Sequence, residues 1–297
     1  MRVRDPTGIG RFGGRFGLSS KEFTPAMAKA VFDHLQGPAP RNHFTVGIVD
    51  DVTFTSLPVD ERAFALRPAD VTTAVFYGLG ADGTVGANKN SIKIIGGQTD
   101  LYVQGYFVYD SKKSGSMTVS HLRFSDRPIR STYLVSDAHV VACHQIGLLD
   151  RVDVLDVARP GAVFLLNSPY PIEATWDRLP LQAQRHIIEK KLRVHVIDGH
   201  AVAREVGLRN LISTVMQAAF FLVTDVLPAD EALDAMRASI RKTYALLGPR
   251  IIDANIAAAP MQRTATVRRG CAAAASSGSG TLPVAVGDAA AVQVVRG

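Results

Sequence analysis

Four glycines, Gly78, Gly80, Gly83 and Gly86, follow the short apolar stretch Thr73-Ala74-Val75-Phe76-Tyr77. Glycines at this spacing let the backbone turn sharply and bring its N–H groups against a ligand where a Cβ would stand in the way. The ligand such loops usually take is a phosphate, held by amides and by the positive end of the helix that follows. Lys89 comes about a turn later and could add a full charge, while Asp82, Thr84 and Asn88 supply hydrogen-bonding side chains in the same stretch. A second loop, Asp110-Ser111-Lys112-Lys113-Ser114-Gly115-Ser116, is small, polar and doubly cationic, as a second phosphate contact would be. Each loop also fits a plain turn, since a G-x-G-x-x-G match is weak by itself and solvated hairpin turns often carry lysine.

The elements needed to position these loops can be read in order. Val75 marks a buried strand ahead of the glycines, and Asp100–Phe107 a second strand, with Tyr106-Phe107-Val108-Tyr109 as its buried end. Met117–Phe124 alternates as a strand should. Val140–Cys143 and Arg193–Asp198 read as further strands. Gly161–Ser168 is a continuous apolar run of the kind found inside a parallel sheet, with Asn167 and Ser168 at its carboxyl end, where open α/β sheets place ligands. Helices are expected over Leu181–Arg193, Ala201–Gly207, Leu211–Leu222 and Ala229–Leu247. Strands alternating with helices predict an α/β sheet with parallel pairs.

Upstream, Thr24 and Pro25 form an N-cap and first-turn pair opening a helix that Gly37 and Pro38 close. Phe44–Ile48 is a short strand, and Asp50-Asp51 after it suits a turn cap better than a metal site. One helix and one strand bury little. Residues 1–69 therefore lean on a neighbour or are partly disordered and look like the end of a domain whose beginning is missing, plus a linker; 70–257 read as the main domain, and 258–297, rich in Ala, Gly, Ser and Val, as a low-complexity tail expected to be disordered.

Composition removes several classes. The chain has 297 residues and a net charge of +6. Arg263, Arg268, Arg269 and Arg296 against Asp288 put half of that excess beyond Pro260, and no basic stripe with interleaved aromatics suggests nucleic acid. No apolar run is long enough for a bilayer and no hydrophobic leader opens the chain, so a cytoplasmic protein is expected. Two cysteines, Cys143 and Cys271, cannot form a Cys₄ cluster site within this chain. His139, Cys143 and His144 fit no zinc spacing, and no serine or cysteine sits in a nucleophile elbow.

Taken together, Gly78–Gly96, Gln104–Gly115, Thr118–Phe124 and Pro128–Ser131 resemble, in content and order, the gamma-type domain of the pyruvate:ferredoxin (flavodoxin) oxidoreductases, over about Gly10 to Ala257. The resemblance implies a gamma-type 2-oxoacid oxidoreductase domain with a mixed, largely parallel sheet, preceded by a truncated α/β piece. It implies an internal part of an enzyme that decarboxylates pyruvate on thiamine diphosphate, passes electrons through [4Fe-4S] clusters to ferredoxin or flavodoxin, and transfers the acyl group to coenzyme A. This part would receive coenzyme A, whose phosphates need the amides and cations that Gly78, Gly80, Gly83, Gly86, Lys89, Lys112 and Lys113 offer; the reading of the residues themselves adds Asp82, Thr84 and Asn88 as hydrogen-bonding loop positions. Thiamine diphosphate and the clusters would belong to the parent, a homodimer, whose other domains would be this chain's partners; the chain alone would be inactive. The alternative is a non-catalytic dinucleotide-binding or scaffold domain, with Asp100 as the acid that would meet a ribose.

Overall fold

The computed structural model describes residues 2–4, 11–17, 22–50, 52–61, 64, 66, 69–80, 82–109, 116–208, 211–224, 226–259 and 265–267. The chain divides into two compact units, residues 1–69 with 130–136, and residues 70–129 with 137–297.

In the first unit β1 (Arg2–Arg4) runs antiparallel to β2 (Arg11–Phe16), which runs parallel to β3 (Phe44–Val46). Helix α1 (Pro25–Gln36) starts as expected, the Thr24 hydroxyl accepting from the Met27 N–H at 3.2 Å. Val31, Phe44, Val46 and Leu57 form a small core. Asp50 settles the paired-acid question on its side, because its carboxylate accepts from the Val52 and Thr53 amides and the Thr55 hydroxyl. Those bonds, that to the Thr53 hydroxyl foremost, hold its carboxyl well below the usual range. Asp51 lies outside the described residues.

The second unit is built on a seven-stranded sheet. Its strands are β4 (Val71–Leu79), β5 (Tyr102–Tyr109), β6 (Met117–Ser125), β7 (Ala138–Cys143), β8 (Ala158–Asn167), β9 (Arg193–Ile197) and β10 (Ala265–Val267), in the spatial order β10-β9-β8-β7-β4-β6-β5. The four consecutive strands β9, β8, β7 and β4 are parallel; β6 joins β4 antiparallel, β5 joins β6 antiparallel, and β10 joins β9 antiparallel. The sheet is therefore mixed around a parallel centre. The apolar run of β8 is buried from Ala162 to Leu166, as a strand covered on both faces must be.

Helices α2 (Thr84–Gln98), α3 (Ile172–Arg178), α4 (Leu181–Glu189), α5 (Gly199–Glu205), α6 (Ser213–Val223), α7 (Ala229–Thr243) and α8 (Pro249–Ala258) complete the unit. Helix α6, apolar nearly all round, is buried from Thr214 to Phe221 at the centre of the main core, where Phe220 meets Phe76 edge-on at 5.1 Å. Asp198 turns out to be the N-cap of α5, accepting from the Ala201 N–H at 2.8 Å.

Three features differ from expectation. Tyr106, Val108 and Tyr109 are exposed, because β5 is an edge strand and has a neighbour on one side alone. Ala258 and Ala259, assigned to the tail by composition, are fully buried in the main core. Beyond them Ala265–Val267 pairs with β9, while 260–264 and 268–297 lie outside the described residues.

Candidate functional site: a cleft where two helix N-termini meet

The glycine-rich loop joins β4 to α2, and much of it is bonded to itself. The Asp82 carboxylate accepts from the Leu79 N–H at 2.7 Å and the Thr84 N–H at 2.8 Å. Gly80 N–H donates to the Ser116 carbonyl at 2.7 Å, which ties the loop to the start of β6. A Cβ on Gly78 would overlap the Thr84 side chain, so this glycine serves close packing of strand against helix. Gly83 is the N-cap of α2 in the left-handed region (φ 85°) and has no side chain to cap that helix end itself. With Thr84 N–H taken by Asp82, the amides of Val85 and Gly86 are the next in a first turn that has no intrahelical acceptors to offer them.

Thr84, fully buried, bonds through Oγ1 to His144 Nδ1 at 2.7 Å. Burial pushes the His144 pKa down to about 4, against a smaller opposing pull from Asp82, so the ring is neutral at physiological pH. The His144 backbone N–H donates to the Tyr77 carbonyl at 2.9 Å, and Asn167 donates to the His144 carbonyl at 2.9 Å while accepting from the Gly199 N–H at 2.8 Å. One chain of bonds thus ties together the carboxyl ends of β4, β7 and β8 and the start of α5. Asn167 and Ser168 sit at the place the sequence suggested, and both are buried in structural bonds.

Outside this frame opens a cleft of about 410 Å³. The N-terminus of α6 abuts that of α2, since a Cβ on Gly83 would come within 2.9 Å of Ser213. Helix α6 has no side-chain cap. Gly83, Gly86, Lys89, Lys93, Ser213 and Tyr244 are among the residues lining the cleft, and no carboxylate lines it among the described residues. Its floor is held by Asn90, whose Oδ1 accepts from the Ser239 hydroxyl at 2.6 Å, and by Gln217, which donates to Ser91 at 3.1 Å. The cleft thus brings together Lys89, Lys93 and the start of α6, while the first amide of α2 is already taken by the Asp82 carboxylate.

The sequence-derived set separates on the structure. Gly83, Gly86 and Lys89 line the cleft. Gly78, Asp82 and Thr84 hold the loop together, and Asn88 is buried against the sheet. Lys112 and Lys113 lie outside the described residues. Lys93, Ser213 and Tyr244 were missed, and His144, weighed only as a metal ligand, belongs to the frame behind the cleft. Lys93 could have been found as the i+4 neighbour of Lys89 on one helix face; Ser213 and Tyr244 come from more than 120 residues away and leave no local signal. His139 and Cys143 make separate contacts, His139 with Thr73 Oγ1 at 2.8 Å and Cys143 with the Gln145 carbonyl at 3.1 Å, so no metal triad forms with His144. Asp153, Asp156 and His186 come within 4.8 Å of one another, but Asp153 is already bonded to Gln182 and His186. Asp100 precedes β5, at the end of the sheet opposite the glycine loop, and cannot meet a ribose there.

The fold is shared with subunits of 2-oxoacid oxidoreductases. Pyruvate oxidoreductase subunit PORC from Thermotoga maritima superposes with a TM-score of 0.51 at 19% identity, covering 64% of this chain and 93% of that one. The 2-oxoglutarate:ferredoxin oxidoreductase from Magnetococcus marinus does so at 0.50 and 13% identity, over 64% of this chain and 30% of that one. Residues 73–263 match the pyruvate ferredoxin/flavodoxin oxidoreductase family, and the chain belongs to it. It is 56% identical over 246 residues to the pyruvate-flavodoxin oxidoreductase of Nostoc, covering 83% of this chain and 20% of that protein. To the pyruvate:ferredoxin oxidoreductase of Moorella thermoacetica it is 52% identical over 246 residues, covering 83% and 21%. The chain thus spans about a fifth of the length of these curated relatives.

Proposed function

We propose that this chain is the coenzyme A-receiving part of a pyruvate:ferredoxin or pyruvate:flavodoxin oxidoreductase. The observation that carries the reading is the cleft in which the uncapped N-terminus of α6 meets the start of α2 beside Lys89 and Lys93, with no carboxylate lining it among the described residues. Coenzyme A carries a diphosphate and a 3′-phosphate, and one phosphate group would sit here on helix amides and lysine charge. The other would fall to Lys112 and Lys113 after β5. The Magnetococcus marinus enzyme was solved with coenzyme A and succinyl-CoA bound, which supports this ligand class for the fold. Pyruvate decarboxylation on thiamine diphosphate and electron transfer through [4Fe-4S] clusters belong, in this reading, to other parts of a homodimeric cytoplasmic enzyme that reduces ferredoxin or flavodoxin. Among the described residues no helix is long and apolar enough to cross a membrane.

Calorimetry tests the ligand. Lys89→Ala with Lys93→Ala should weaken coenzyme A binding, each lost charge-assisted bond costing about 1.5–3 kcal/mol at most. Repeating the titration with dephospho-coenzyme A tells which phosphate the cleft holds: a lysine effect that vanishes with the 3′-phosphate places that group here. Equal affinities of wild type and double variant for both ligands would sink the assignment, and tight NAD binding with no response to coenzyme A would replace it with the dinucleotide alternative.

A further inference from the structure

Three buried polar side chains, one on α2 and two on β6, each carry an unpartnered atom. Asn88 Nδ2, Thr118 Oγ1 and Ser120 Oγ have no hydrogen-bond partner, although Asn88 and Thr118 are 3% exposed and Ser120 0%. Register places them in one spot. Thr118 pairs with Gly78 of β4 and Ser120 with Phe76, and across β6 Ser120 pairs with Phe107 of β5. Helix α2 crosses these strands. Its Thr84 lies against Gly78 on β4, and its Ile92 against Gly105 on β5. Asn88, four residues from each and on the same helix face, therefore lies over β6, the strand between them. Lys89, the next residue, stands over the Phe107 ring at 5.2 Å, on the same rung as Ser120.

Groups sealed from solvent this way are nearly always paired, and each one left alone costs stability. Turning the Asn88 amide over would only exchange its buried NH₂ for a buried oxygen.

We propose that Asn88, Thr118 and Ser120 hold an ordered water molecule between α2 and β6. Buried waters make about three hydrogen bonds each, and three groups converge here. Two hydroxyls and an amide can satisfy both the donors and the acceptors of a water. Phe76 and Phe107, the rung neighbours of Ser120, wall the spot with rings, which favours a small neutral occupant over a bulky polar one. The water pins the amino-terminal half of α2 to the sheet, and with it the Gly83–Gly86 turn at the cleft. This inference rests on packing alone and stands whether or not the cleft takes coenzyme A.

A high-resolution crystal structure of the chain without ligand tests it. Expected is a single density peak within hydrogen-bond distance of all three side chains, absent from a Thr118→Val, Ser120→Ala double variant. In solution, water-oxygen relaxation dispersion should lose the contribution of one long-lived water in the same variant; should that variant not fold, Ser120→Ala alone is read the same way. Side chains closed on one another with no density would overturn the proposal. So would a peak that forms only in crystals soaked with coenzyme A, which would make the three residues a ligand subsite, and so would unchanged dispersion in the folded variant.

Discussion

His144 makes the stability of the second unit fall with acid, and replacing it should flatten that dependence. In the unfolded chain its imidazole takes a proton near 6.5, but in the folded protein burial delays this to about 4. Between those values the unfolded state binds more protons, so stability rises with pH and is lost as pH falls. The full difference is about 2.5 pH units at 1.36 kcal/mol each, or about 3 kcal/mol, of which about 2 kcal/mol is gone by about pH 5. His139 and His195 are pushed down by burial as well and add to the slope in the same direction. The effect of His144 is therefore isolated by comparison with His144→Asn, which keeps a neutral polar group facing Thr84. Urea unfolding at about pH 7 and about pH 5 should show the variant losing about 2 kcal/mol less than wild type over that interval. Parallel losses in the two proteins would refute the reasoning, and so would an NMR titration in which the native His144 ring protonates near 6.5.

Other substitutions probe the loop and the core. Gly83→Ala combines a left-handed backbone with a Cβ within 2.9 Å of Ser213. It should cost about 1–2 kcal/mol in urea melts from the backbone alone, with further loss from the contact. Asp82→Ala leaves the Leu79 and Thr84 amides without their acceptor, and should cost about 1–3 kcal/mol while loosening α2. Cys143 is fully buried with its thiol pushed up to about 12, so peptide mapping should find it unalkylated in native protein at neutral pH and modified only after unfolding.

Much of the fold was legible because its signals are local. The β8 run, the Thr24 cap, the apolar all-round pattern of α6 and the acid-to-base polarity of α7 each declare an element within a dozen residues. Burial was less legible. Tyr106–Tyr109 is apolar enough to suggest an interior strand, and only the sheet order, with β6 inserted between β4 and β5, shows it to be an edge. The candidate site was half visible. Its glycines and Lys89 are contiguous, whereas the meeting of α2 with α6 at Gly83 and Ser213 depends on a core that buries α6 behind the sheet. Asp82 shows the limit of motif reading: a polar residue in a ligand-type loop can be consumed by the loop itself. The coenzyme A assignment came from family resemblance, and no spacing in the chain names that ligand.

The first unit is completed by a segment that begins sixty residues after its main stretch ends. Residues 130–136 belong with 1–69, where the Glu22 carboxylate accepts from the Leu134 N–H and Val135 is buried. Chains are made from the amino terminus at about 5–20 residues per second, and units generally fold as they emerge. On the ribosome, residues 1–69 must wait several seconds for Arg130–Ser136, and by then β4, α2, β5 and β6 have all been synthesised. The order of translation thus sets the second unit's first hairpin to assemble before the first unit can be completed.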